Sequence, residues 1–442
     1  MLQKSLYIFV SKMAGYGVRL MLPYFLVRLL SVSDFGAYRQ FFLLEMYIGS
    51  LFQLGLNQAL FYFIPRDVRN SGAYLLNTLA MNAIVFAAAF VVIGLAIDPL
   101  SRWLNMAIMR DAFWLLAGNV IVLMVTVACD CYLTARQNVK AAAAFEISGQ
   151  LVMSGACLVA AHVWGDLSTI LMALLLARVV QAIAMLAFIH LRLRGFSAER
   201  YFFGIREQLR YGIVLGASGT LFTVLMRLHE FFVSRYYGTD GYAIYSAGAT
   251  DIPLVRMFTQ AVAVVSLSQF AVLEKDKDWE GIKAVWNRVM ASSYAIAVPV
   301  VIVLFAVADP LIRFMFTDTY ADAIPIFRVA TFMKLAMIFN ATLVLRAMSR
   351  NDISMWTNVG ALVLAVPMYF AGMKLGGMVG IMAAQALLLF GSRLAGVVWM
   401  NRIIPVRLCY VVGFREQWAF YTDGWARVRA RYQARVQRTR VK

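Results

Sequence analysis

The sequence predicts an all-α polytopic membrane protein of about twelve transmembrane helices, on three observations. Of its residues 62% are hydrophobic and 14% charged, where soluble domains carry roughly 25% charge. Mean hydropathy is +0.73. Apolar runs of about 20 residues, the length that crosses a bilayer as a helix, recur along the whole chain.

Taken in order, the spans are expected near 6–30, 36–64, 73–97, 111–133, 141–163, 168–191, 210–235, 242–272, 289–315, 323–346, 353–374 and 377–401. The first is too long, and too interrupted by Lys12, Arg19 and Pro23, to read as a cleaved signal peptide. Only the short turn SVSDFG separates it from the second. With the N-terminus inside, Lys and Arg collect in the inner loops. They include Arg66 and Arg69, Arg136 and Lys140, Arg192 to Arg210, Lys275 to Arg288, and Arg346 and Arg350. The outer loops hold few: Arg102, Arg110, Arg235, Arg313 and Lys374. This positive-inside bias fits twelve spans with both termini cytoplasmic. It also accounts for the net charge of +18 without a nucleic-acid partner.

The two halves look alike. SVSDFGAY at 31–38 recurs loosely as YGTDGYAIY at 237–245, and LTAR with GQLV at 133–152 recurs as LRAM with GALV at 345–363. Each pair joins spans of the same direction, so the repeat is parallel: two pseudo-symmetric six-helix lobes, 1–200 and 201–403, as in transporters that bind between lobes. Residues 404–442 form a basic cytoplasmic tail whose Trp418, Phe420, Tyr421 and Trp425 suit an amphipathic helix on the inner leaflet. The stretches 192–209 and 273–288 also look amphipathic and interfacial.

Charges inside the spans carry the functional signal. Lys12, Arg19, Arg39, Arg178, Arg227, Arg256, Lys334 and Arg393 outnumber Glu45, Asp130, Glu146, Glu230 and Asp251. A base facing lipid at the bilayer centre costs on the order of 3 kcal/mol on insertion scales, so such groups face a polar interior. The surplus argues for a cavity receiving an anion, with Lys12, Arg19, Arg39, Arg256 and Lys334 as candidate binding residues. Arg227 and Glu230 are three apart and can pair on one helix face. Asp251 and Arg256 are five apart, so on one helix each needs a partner elsewhere. Arg39, Arg178 and Arg393 suit snorkelling or inter-helix pairing. Glu230 and Asp251 are candidate proton or Na+ coupling sites, and His229 is placed at the outer interface. No cofactor or metal is expected: Cys129-Asp130-Cys131 lacks a second ligand cluster.

Several stretches in order resemble the polysaccharide-transporter branch of the multidrug/oligosaccharidyl-lipid/polysaccharide exporter superfamily. They are LPYFLVRLLSVSDFGAYRQ with LFQLGLNQALFYFIPR, HEFFVSRYYGTDGYAIYSAGAT, TYADAIPIFRVATFM, and LRAMSRND leading to KLGGMVGIMAAQALLL. The resemblance covers roughly 5–400 and implies a MATE-like fold with alternating access. It further implies a flippase that moves undecaprenyl-pyrophosphate-linked oligosaccharide, as in O-antigen and lipopolysaccharide synthesis, across the bacterial inner membrane. Polysaccharide polymerase and chain-length proteins would be its partners. A related branch flips the peptidoglycan precursor using arginines in spans one, two and eight, where this chain has Arg19, Arg39 and Arg256. Where the family often has Asp, Glu230 keeps an acid. Many members have fourteen spans, two more than are read here.

A drug or cation antiporter on the same fold would want an acid-rich site, which the base surplus opposes. A sugar transporter of the major-facilitator type would want a glycine- and aspartate-bearing motif in the 2–3 loop, which reads PRDVRNSG. A glycan polymerase or ligase needs large outer loops, and the longest here is 98–110. No Ser/His/Asp set, paired-carboxylate motif or phosphate-cradling glycine loop appears, so catalytic residues are not expected.

Overall fold

The computed structural model describes residues 2–53, 55–193, 202–339, 341–348, 350–406 and 408. Among the described residues the chain is helical throughout, with no strand. Helix α1 (Leu2–Leu29) and helix α2 (Val32–Phe52) meet at a tight turn. That turn forms because Ser31 caps α2, its Oγ accepting the Asp34 N–H at 3.1 Å. After a break at 53–55, α3 (Leu56–Arg66) completes the second span. Next comes α4 (Ser71–Leu95); α5 (Ile97–Leu104) and α6 (Ile108–Asp111) then fill the longest outer loop. Helices α7 (Phe113–Ala135), α8 (Val139–Val163) and α9 (Leu167–Leu193) follow. The Asp166 carboxylate accepts the Thr169 hydroxyl at 2.6 Å and its N–H at 2.8 Å just before α9, which holds the Asp166 carboxyl below the usual range.

Helix α10 (Ile205–Gly248) bends at Gly238, whose φ of 68° lies in the left-handed region. It therefore holds the seventh span and the start of the eighth, which resumes as α11 (Leu254–Lys275) after a break. Helix α12 (Trp279–Ala306) leads into α13 (Ala308–Phe316). The tenth span is discontinuous: α14 (Ala323–Met333), a 3-10 turn at Lys334–Ile338, then α15 (Thr342–Ala347). Finally α16 (Asn351–Ile403) turns back on itself at Gly376 and Gly377 and so contributes two spans.

Seven described helices are long and apolar enough to cross a membrane by length and composition alone. The other spans carry charged side chains that lower their hydropathy, and all segments follow the expected order. Two expectations change. The ninth helix begins before the expected 289, because α12 already starts at Trp279, where the Asp278 carboxylate accepts the Gly281 N–H at 2.8 Å. The 36–64, 242–272 and 323–346 spans are interrupted rather than continuous. Residues 194–201 of the middle loop, and nearly all of the 404–442 tail, lie outside the described residues.

Cα packing divides the chain into two compact units, 1–247 with 312–321, and 248–311 with 322–442. Helix α10 thus packs with the first unit as far as Ala247. In the first unit α7 packs on α3, α4 and α9 around Tyr132, Cys129, Leu60 and Ile64. In the second, Trp286, Phe270, Met290 and Val344 centre a core built by α11, α12 and α15. Val91, Val92 and Leu95 point outward, as lipid-facing side chains do.

The break in the second span is fixed by sterics. Gly55 has φ +66°, and a Cβ there would overlap the Gly212 carbonyl and sit 2.6 Å from the Gly216 nitrogen on α10. Gly55→Ala is therefore expected to cost about 2–5 kcal/mol from left-handed strain and overpacking combined, read as a lowered unfolding temperature in detergent.

Candidate functional site

Two clusters of charge sit beside the helix breaks, one in each unit. Breaks of this kind expose backbone dipoles within a membrane, which is tolerated only where they face protein or a water-filled cavity.

In the second unit the chain is non-helical from Thr250 to Pro253, between α10 and α11. Pro253 cannot donate the backbone hydrogen bond that would continue the helix. Asp251 lies in this gap and meets two bases. Lys334 Nζ donates to Asp251 Oδ1, and Arg256 Nη2 lies 3.4 Å from Asp251 Oδ2. The expectation that Asp251 and Arg256 cannot face one another assumed an unbroken helix; the break lets Arg256 reach back. Lys334 stands at the start of the 3-10 turn in the tenth span. One carboxylate thus links the interruptions of two spans. The partners differ in setting: the Lys334 side chain is 8% exposed and that of Arg256 is 42% exposed. Lys334 is committed to Asp251, while Arg256 keeps an open face.

In the first unit, Arg227 donates to Glu230 Oε1, and the Tyr242 hydroxyl donates to Glu230 Oε2 at 2.8 Å. Arg39 donates from Nε to the Ser246 hydroxyl and from Nη2 to the Ser246 carbonyl, each at 3.1 Å. Helix α2 supplies Arg39 and α10 supplies the rest. The two helices are further joined by Gln40, which donates to Ser234 at 2.7 Å, and by Tyr47, which donates to the Val224 carbonyl at 3.1 Å. His229 is buried, and both its ring nitrogens are engaged, by the Tyr245 hydroxyl at 2.7 Å and the Met226 carbonyl at 3.0 Å.

Deeper in the same unit Arg178 makes a two-pronged pair with Glu45, Nη1 to Oε2 at 2.8 Å and Nη2 to Oε1 at 2.9 Å. Asn119 Oδ1 accepts a third hydrogen bond at 3.2 Å. Inter-helix pairing, not snorkelling, is the role of Arg178.

Of the remaining candidates, Arg19 is exposed on α1, and the Lys12 side chain lies outside the described residues. The sequence reading passed over Arg328, although it lies within the span that carries Lys334. It is half-buried on α14, with its guanidinium 5.5 Å from the Phe305 ring centre and its Nε shielded from solvent. A lone charge within the apolar run AIPIFRVATFM was the available signal. Among the described residues, Arg19, Arg39 and Arg328 make no ion pair. After the acids are matched, positive charge remains. No group of three or more His, Cys, Asp or Glu side chains fit to hold a metal ion is present among the described residues.

A family model described as "Polysaccharide biosynthesis protein" matches residues 25–325. The fold is shared with a multidrug-resistance MATE family transporter of the MOP superfamily in an inward-facing conformation. The TM-score is 0.70 at 16% identity, over 88% of this chain and 94% of that one. The lipid II flippase MurJ, inward closed, also gives a TM-score of 0.70, at 10% identity over 98% and 93%. A MOP superfamily transporter from Pyrococcus furiosus, whose binding pocket is described as having reversed polarity, gives 0.63 at 15% identity over 91% and 95%. No curated protein sequence matches the chain. The expected polysaccharide-biosynthesis family and MATE-like fold are thereby borne out.

Proposed function

Because this chain belongs to the polysaccharide biosynthesis protein family, we propose that it flips undecaprenyl-pyrophosphate-linked oligosaccharide units across the bacterial inner membrane by alternating access. One observation carries this reading: the positive charge left over inside the membrane once Glu45, Glu230 and Asp251 have met their bases. A pyrophosphate supplies the counter-charge that the protein lacks, and guanidinium groups suit it because they bind phosphate oxygens in pairs. In this reading Arg19, Arg39 and Arg256 contact the headgroup, Lys12 extends the basic surface, and Lys334 holds Asp251 at the break. Glu230 and Asp251 are the groups through which H+ or Na+ would couple to lobe motion. Both termini face the cytoplasm, and polymerase and chain-length proteins act on the exported units, O-antigen among them.

The test is a chromosomal Arg19→Ala or Arg256→Ala strain with protein levels confirmed by blotting. Surface polysaccharide is expected to be lost while lipid-linked units accumulate inside. Full surface polysaccharide in both strains sinks the cationic site.

A further inference from the structure

The second unit carries a lateral groove that neither charge cluster uses. The two halves of α16 flank it, and its volume of ≈ 410 Å³ falls in the range of about 300–1,000 Å³ typical of small-molecule sites. Leu364, Met368, Leu387 and Leu388 make its walls, and the exposed indoles of Trp356 and Trp399 line it as well. Gly360 and Gly391 leave open space in it, with no atom within 4 Å of where a Cβ would stand. At Thr357 and Ser392 the groove joins a small polar cleft of ≈ 20 Å³ that also holds Ser354, Asn358 and Arg393. Asp352 also lines the groove, but Arg350 already meets its charge at 3.0 Å.

An apolar channel ending in hydroxyls, an amide and a guanidinium group has the chemistry of an acyl chain joined to a phosphate. The cleft has room for about one or two water-sized groups. Roughly one or two phosphate oxygens fit it. We propose that an anionic glycerophospholipid docks here, its acyl chain in the groove and its phosphate on Arg393. Phe339 and Ala341, from the interruption that follows Lys334, also line the cleft. The lipid therefore braces the break in the tenth span, and membrane composition becomes a control on the transporter. This inference does not depend on the identity of the transported substrate.

The test uses full-length protein in detergent, titrated separately with phosphatidylglycerol, phosphatidylcholine, undecaprenyl phosphate and inorganic phosphate. Retained lipid is read by native mass spectrometry and stability by thermal unfolding. Phosphatidylglycerol alone is expected to be retained and to raise the unfolding temperature. Arg393→Gln should weaken it about tenfold, the scale of one charge-assisted hydrogen-bonding contact. Gly391→Leu fills the groove without a clash, so it should abolish retention while leaving the lipid-free unfolding temperature unchanged. If Arg393→Gln does not fold, Gly391→Leu decides. Equal retention of phosphatidylcholine, an equal shift from inorganic phosphate, preference for undecaprenyl phosphate, or full retention by Gly391→Leu would each overturn the proposal.

Discussion

Replacing Arg178 with alanine is expected to cost about 3–5 kcal/mol of stability, the penalty for stranding one partner of a buried ion pair. Both side chains are nearly sealed, Arg178 at 8% and Glu45 at 6% exposure, so water cannot take over the orphaned charge. The geometry is close to the best available to an arginine and a carboxylate, with two parallel hydrogen bonds and a third to Asn119. Glu45→Ala should be equally damaging, because it leaves the guanidinium buried. Removing both charges together is a different matter. In a helix-packed membrane interior, Arg178→Met with Glu45→Leu replaces a desolvated pair by apolar groups, and such exchanges are often neutral or stabilising by about 1–4 kcal/mol. Thermal unfolding of the two single variants and the double variant in detergent gives the coupling directly. A double variant as unstable as either single one would mean that the pair is not an isolated structural unit. Transport in the double variant should be retained, since neither residue belongs to the charge surplus.

How much of this could be read from the sequence depended on how local each determinant is. The turn between the first two spans was legible because SVSD carries its own cap, Ser31 to the Asp34 N–H, between two apolar runs. The Arg227–Glu230 pair was legible because three residues on a helix are neighbours. The Glu45–Arg178 pair was not, since its members are 133 residues apart and no local pattern selects one acid for one base. The breaks were missed for another reason. Hydropathy averages over side chains and cannot see a backbone interruption, so apolar windows ran straight through 53–55 and 250–253. Gly55 and Pro253 were the signals present, and each is the residue type that such a break requires. Once Asp251 is placed in a gap rather than on a helix, its contact with Arg256 follows.

That placement sets apart the two bases that share Asp251, and their variants should separate stability from transport. Asp251→Ala is expected to destabilise the protein by about 3–5 kcal/mol, because Lys334 is buried and loses its counter-charge. Arg256→Ala should change stability by no more than about 1 kcal/mol, the range for a pair open to solvent, since its side chain is 42% exposed. Yet Arg256→Ala is the variant expected to lose surface polysaccharide, because an exposed guanidinium held near a helix break is free to meet an anionic headgroup. Lys334→Met combined with Asp251→Leu removes the buried pair and should recover most of the stability lost in Asp251→Ala. Unfolding temperature and surface polysaccharide, measured on these three variants and the unaltered protein, test the division. If Arg256→Ala unfolds as readily as Asp251→Ala, Arg256 is the structural partner and Lys334 the free base. If Arg256→Ala keeps both stability and polysaccharide, the base that meets the substrate must be sought among Arg19, Arg39 and Arg328, which make no ion pair among the described residues.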